Sequence, residues 1–296
     1  MKDVSKMNAL MMNAASKLVL NDSRCIKKEN VDEFMMLFQM SEKQAVLELM
    51  GAYLGFDFDE HPEQRSLFHH YFEKDFQIMS SSLIEQDTYL KKLHHRKLQS
   101  GQFQLEWMRF EPYELMFIDD IKIDRKSIQR IAMGCFSRQV EYPILFESGI
   151  EWMSIVPSEI HTMRPCIEKM YGKVLVLGLG MGYFAYHVSE KNEVESVDIV
   201  EVSKDAIDLF SHDLLSVFEH KEKVQLIQMD AMQAIETLDL NCYDCVFADI
   251  WHNGLDGAKW ARKFEPVIKQ YPHLTWVNWL QNSIDSILLK DEASSE

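Results

Sequence analysis

From about residue 5 to residue 100 apolar side chains recur three and four positions apart, as in Val31, Phe34, Met35 and Phe38 and again in Ala45, Leu47, Met50 and Leu54. That is the period of a helix with one buried face. The spacing predicts amphipathic helices near 5–20, 31–54, 63–79 and 83–98. Met35, Met36, Met40 and Met50 suit gaps in a helical core, with a methionine-rich partner face as the alternative. Between about 112 and 156 the pattern changes to short β-prone runs, ELMFIDDIKI, IQRIAMGCFS and YPILFESGIEWMSIV, separated by turn residues. A small antiparallel β-unit follows, with Glu147, Ser148 and Gly149 as a hairpin turn. Ser158 is the expected N-cap of a helix running to about Lys169.

From Lys173 onward strands and helices alternate strictly, beginning KVLVLG, YFAYHVSEK, SVDIVEV. Five strands of continuous apolar character predict a parallel sheet covered on both faces, and right-handed crossovers make it doubly wound. The expectation is an α/β chain with a helical N-terminal domain (1–105), a small β-unit (106–156) and a Rossmann-like domain (157–296) whose sheet is truncated after its fifth strand.

Charge narrows the partners. A formal net charge of -16 repels phosphate backbones and anionic membranes, so a small-molecule or cationic substrate is expected and nucleic acid is disfavoured. The basic run Lys91, Lys92, His94, His95, Arg96 and Lys97 is expected to be a solvated helix face. No apolar run reaches the roughly 18 residues of a membrane span, and no secretory leader is evident, which points to the cytoplasm. A homodimer is an open option. The five cysteines are scattered, and the pair Cys242 and Cys245 reads as buried thiols, with no metal site expected.

Ligands of such sheets bind beyond the carboxyl ends of the strands, and four of those ends carry informative residues. After the first comes GLGMGYF, where Gly178, Gly180 and Gly182 permit a tight turn and close approach of a ligand to the backbone. The second ends at Glu201, 19 residues beyond Gly182, where a carboxylate can accept both hydroxyl hydrogens of a ribose, with Val202 beside it. Met229 and Asp230 close the third, followed by Ala231. Asp230 is an acceptor for an adenine amine, a helix N-cap, or both. The fourth ends in FADIWHN, placing Asp249, Trp251, His252 and Asn253 at the pocket mouth. Asp249 could orient an amine nucleophile, accept its proton, or hold the amino group of a cofactor; Trp251 is core or a cation-facing wall. The loop also satisfies the G-x-G-x-x-A of nicotinamide dehydrogenases, but Asp230 has no role there and no Tyr-x-x-x-Lys pair is suitably placed.

Together these elements, over roughly 157–280, resemble the class I S-adenosylmethionine (SAM)-dependent methyltransferases, and within them the spermidine synthases and their methyltransferase-like relatives. VLVLGLGMGYF carries Gly178 where most methyltransferases have an acidic residue, as the spermidine synthase pattern does. The resemblance implies that Gly178, Gly180 and Gly182 bracket the amino-acid end of SAM, that Glu201 takes the ribose and Asp230 the adenine, and that Asp249 lies beside the transferable group. DIWHNGLDG departs from the aspartate and proline that the polyamine enzymes carry after this position. Methyl transfer to a small or cationic acceptor is therefore expected, with aminopropyl transfer, or SAM binding without transfer, as alternatives.

Overall fold

The computed structural model describes residues 2–124 and 127–295. The chain forms two compact units, Met1–Glu85 with Met108–Tyr142, and Gln86–Trp107 with Pro143–Glu296. The units interleave along the sequence because strand pairing is non-local.

In the first unit, helices Lys2–Asp22, Lys28–Phe38, Glu42–Tyr53 and Pro62–Tyr71 surround a core that includes Leu18, Val31, Val46, Met50, Phe68 and Phe72. The helix expected over 31–54 is two helices. Gln39 takes the left-handed conformation at φ 52°, and Ser41 and Gln44 form a reciprocal capping box that starts the next one. The helix expected over 63–79 ends at Tyr71, and Gln77–Met79 is a strand paired in parallel with the buried strand Met133–Phe136. Pairing with a distant strand outweighs helical periodicity there.

The second unit contains the predicted Rossmann-like sheet. Its strands are β1 (Gly172–Leu177), β2 (Val194–Glu201), β3 (Val224–Gln228), β4 (Cys245–Ala248) and β5 (Thr275–Asn278). All pair in parallel in the order β3-β2-β1-β4-β5. The order reverses between β1 and β4, which opens a crevice at the carboxyl ends of those strands. β4 is buried throughout, whereas β3, at an edge, is only half-buried.

The hairpin Val140–Glu147 and Ile150–Ser154 turns at Ser148 and Gly149, with φ of 52° and 80°, the left-handed pair that a two-residue hairpin loop needs. The helix Pro157–Glu168 begins two residues earlier than expected: Val156 is its N-cap and Ser158 lies inside it, because Pro157 loses nothing at a first position whose N–H has no helical partner.

The basic run is only partly helical, since the helix Thr88–Leu93 gives way to the strand Leu98–Ser100. Two of its cations are structural. Lys92 donates to the Val217 carbonyl (3.1 Å) and to Glu219 (2.8 Å), and Arg96 donates to Ser216 (3.3 Å). Cys245 is buried in β4 but Cys242 is exposed, because the pair straddles the turn into the strand. No helix among the described residues is long and apolar enough to cross a membrane.

Candidate functional site

The loop after β1 is shaped by contacts that exclude side chains. Gly178 has φ 103°, and a Cβ there would overlap the main-chain carbonyl of Asp249 beyond β4. Gly182, at φ 78°, lies against the Phe210 ring with no room for a methyl group. A Cβ at Gly180 would stand 2.9 Å from the Met153 sulfur, which accepts the Met181 N–H at 3.0 Å. The loop is also held from behind. Tyr89 donates its hydroxyl hydrogen to the Met181 carbonyl, and Tyr183, first residue of the helix Tyr183–Ser189, donates to Asp87 at 3.0 Å.

Glu201 ends β2 beside this loop and is 8% exposed. Its two oxygens accept the N–H of Leu179 (3.2 Å) and the N–H of Ser203 (2.8 Å). A carboxylate so fixed retains a lone pair on each oxygen for a vicinal diol. Asp230 is exposed and caps the helix Ala231–Thr237 through one oxygen, accepting from Met232 (2.8 Å) and Gln233 (3.2 Å). The cap role is therefore present, and the second oxygen remains for a ligand.

These groups open onto one cavity of about 550 Å³. Gly178, Gly180, Val202, Met229, Ala231 and Asp249 line it, together with Glu201, Asp230, Trp251 and His252. Gly182 and Asn253 do not: Gly182 is the left-handed N-cap behind the loop, and Asn253 caps the helix Gly254–Gln270 by accepting the Asp256 N–H at 3.0 Å.

Tertiary structure adds residues that strand-end reading did not single out. Glu147, Glu151 and Trp152 arrive from the hairpin, Glu159 from the helix Pro157–Glu168, Trp260 from the helix Gly254–Gln270, and Trp279 from beyond β5. Four of the six tryptophans thus face the cavity; Trp152 meets Phe103 edge-on at 5.0 Å, and the buried Trp251 indole N–H has no acceptor among the described residues. The described lining includes six carboxyl groups and no lysine or arginine. Burial pushes the Asp249 carboxyl up to about 7. Burial, reinforced by the neighbouring Asp249, also raises Glu159 well above the carboxylate range. The sequence signal for Glu159 was weak, because an acidic residue in the first turn of a helix is favoured by the helix dipole alone.

No protein-family model and no curated protein matches the chain. Solved structures with partial likeness include a SAM-dependent methyltransferase from Agrobacterium tumefaciens, at 21% identity over 36% of this chain and 36% of that one, with a TM-score of 0.29. A Streptococcus mutans protein provisionally described as a SAM-dependent methyltransferase aligns at 16% identity over 49% of this chain and 43% of its own, with a TM-score of 0.34. A conserved hypothetical protein of Streptococcus pyogenes aligns at 25% identity over 26% of this chain and 48% of its own, with a TM-score of 0.24. The matched region thus spans less than half of each of these chains. Overlaps this partial leave the functional reading to the cavity itself.

Proposed function

We propose that the second unit binds SAM in this cavity and transfers its methyl group to a cationic amine. The single observation that carries the reading is the Glu201 carboxylate, buried at the mouth of β2 and clamped by two loop N–H groups beside a glycine turn too tight for any side chain. That arrangement fits a ribose. Asp230 and Met229 then face the adenine, and the cavity-lining loop residues Gly178 and Gly180 lie toward the amino-acid end of the cofactor.

SAM supplies an activated methyl carbon, whose bond to sulfur breaks with its electrons passing to the sulfur. The protein's task is alignment and proton removal. Asp249 accepts one proton from the ammonium form of the acceptor, which frees the nitrogen lone pair to form the new N–C bond. A carboxyl that titrates near 7 is suited to that exchange. Trp152, Trp251, Trp260 and Trp279 offer aromatic faces, and Glu147 and Glu151 offer negative charge, to hold the acceptor's cation.

One observation favours a second reading. SAM carries a carboxylate, and the described lining supplies no lysine or arginine to meet it. Decarboxylated SAM lacks that group, and aminopropyl transfer would use the same amine and the same proton acceptor.

Calorimetry with SAM, decarboxylated SAM and S-adenosylhomocysteine tests the binding. Mass spectrometry of an amine panel distinguishes methylated from aminopropylated products. Tight binding of the SAM pair with a methylated amine is the expected result. Failure of all three nucleosides to bind would overturn the reading.

A further inference from the structure

Asp249 has a partner that the reaction above does not use. Glu159 lines both the main cavity and a smaller space of about 20 Å³ beneath the glycine loop, and Asp249 lines the same two. The two carboxyls come from different elements, one from the first turn of the helix Pro157–Glu168 and one from the end of β4. Both side chains are half-buried in the cavity wall, and neither accepts a hydrogen bond from a described side chain or N–H. They share the cavity with the buried Trp251, whose indole N–H is likewise without a partner among the described residues.

The surroundings do not neutralise them. The other titratable groups lining these two spaces are Glu147 and Glu151 on the hairpin, Glu201 at β2, Asp230 after β3, His252 after β4 and Tyr183 on the loop helix. Apart from His252, none of these can become a cation. Two unpartnered carboxyls at close quarters cannot both ionise cheaply, so the empty pair keeps a proton at neutral pH. An alkylammonium group placed between them removes the reason for keeping it.

We propose that Glu159 and Asp249 form a carboxyl pair that exchanges a bound proton for the alkylammonium head of the acceptor. This rests on the transferase reading for its purpose but not for its test. In the exchange a carboxyl O–H bond breaks, the proton passes to solvent, and the carboxylate left behind faces the ammonium. The docked acceptor then finds Asp249 already ionised and able to take the proton whose loss frees the nitrogen. Glu159 thus selects a cation and prepares Asp249.

The experiment titrates n-butylammonium into the full chain by calorimetry near pH 7, in two buffers of different ionisation enthalpy, so that protons released are counted directly. The wild type is expected to release about one proton per bound cation. Glu159→Gln and Asp249→Asn should each lower that release to roughly half, and the double variant should abolish it. Both replacements keep the side-chain shape, and if one variant does not fold the other, set against the wild type, still decides the matter. Binding without proton release, no binding of n-butylammonium, or undiminished release from Glu159→Gln would overturn the pair. Proton release that survives while no SAM nucleoside binds would sink the transferase reading and leave the pair standing. SAM binding with no proton release would do the reverse.

Discussion

Gly178 lies directly against the main-chain carbonyl of Asp249, so the turn that follows β1 and the acidic residue that follows β4 are fitted to each other. Glycine at 178 is a packing requirement of this crevice. Gly178→Ala would meet both the carbonyl and a φ of 103°, and is expected to cost about 3 kcal/mol or more. Gly149→Ala provides the comparison, since at φ 80° it meets nothing within 4 Å and should cost only about 1 kcal/mol. Thermal melts of the two variants check the difference.

Glu201→Gln replaces a carboxylate that accepts from Leu179 and Ser203 with a group whose amide nitrogen can accept neither. One loop N–H is left unpaired at a cost of about 1–3 kcal/mol. S-adenosylhomocysteine affinity should fall by roughly ten- to a hundredfold, read by calorimetry. Unchanged affinity would remove the ribose role.

Asp249 titrates at about 7 in the folded chain and near 3.9 when unfolded, so between those values the folded state holds the extra proton. Stability must then fall as pH rises from about 4 to 7. Asp249→Asn removes the Asp249 share of that decline, leaving the share of the likewise raised Glu159, and should be more stable than wild type at pH 8 by about 1–3 kcal/mol, allowing for water in the cavity. Denaturant midpoints across this range test the sign. On the proposed transferase reading, the same titration predicts that amine methylation rises through about pH 7 and is lost in Asp249→Asn.

Asp87 accepts the N–H groups of Tyr89 and Leu90 and the Tyr183 hydroxyl, with His187 Nε2 at 3.2 Å. Burial opposes its ionisation, but His187, Leu90 and Tyr183 outweigh it and hold the carboxyl below its ordinary value. Its stabilising share is therefore present above about pH 4 and lost as pH falls through the lowered value. Asp87→Ala should cost about 2–4 kcal/mol at pH 7 and loosen the glycine loop. Faster hydrogen exchange at Met181 and Tyr183 would show the loosening.

Much of the second unit was legible because its information is local. Alternation of strands and helices, the glycines at 178, 180 and 182, and acidic residues at the strand ends follow from short-range periodicity and from where parallel strands must terminate. Local pattern misled where distant pairing intervened: Gln77–Met79 reads as helix until Met133–Phe136 lies beside it. Asn253 illustrates the same limit within the candidate site, since proximity in sequence to Asp249 did not bring its side chain to the cavity.

By itself the sequence determined the order of elements, the parallel sheet and the carboxylates at its edge, because each depends on residues a few positions apart. Only the tertiary structure decided which other groups share the cavity. Glu159 precedes Asp249 by 90 positions, and Trp152 comes before β1 in the sequence whereas Trp279 follows β5. What brings them together is the burial of apolar surface over the crevice between β1 and β4, a force that depends on area and carries no memory of sequence distance.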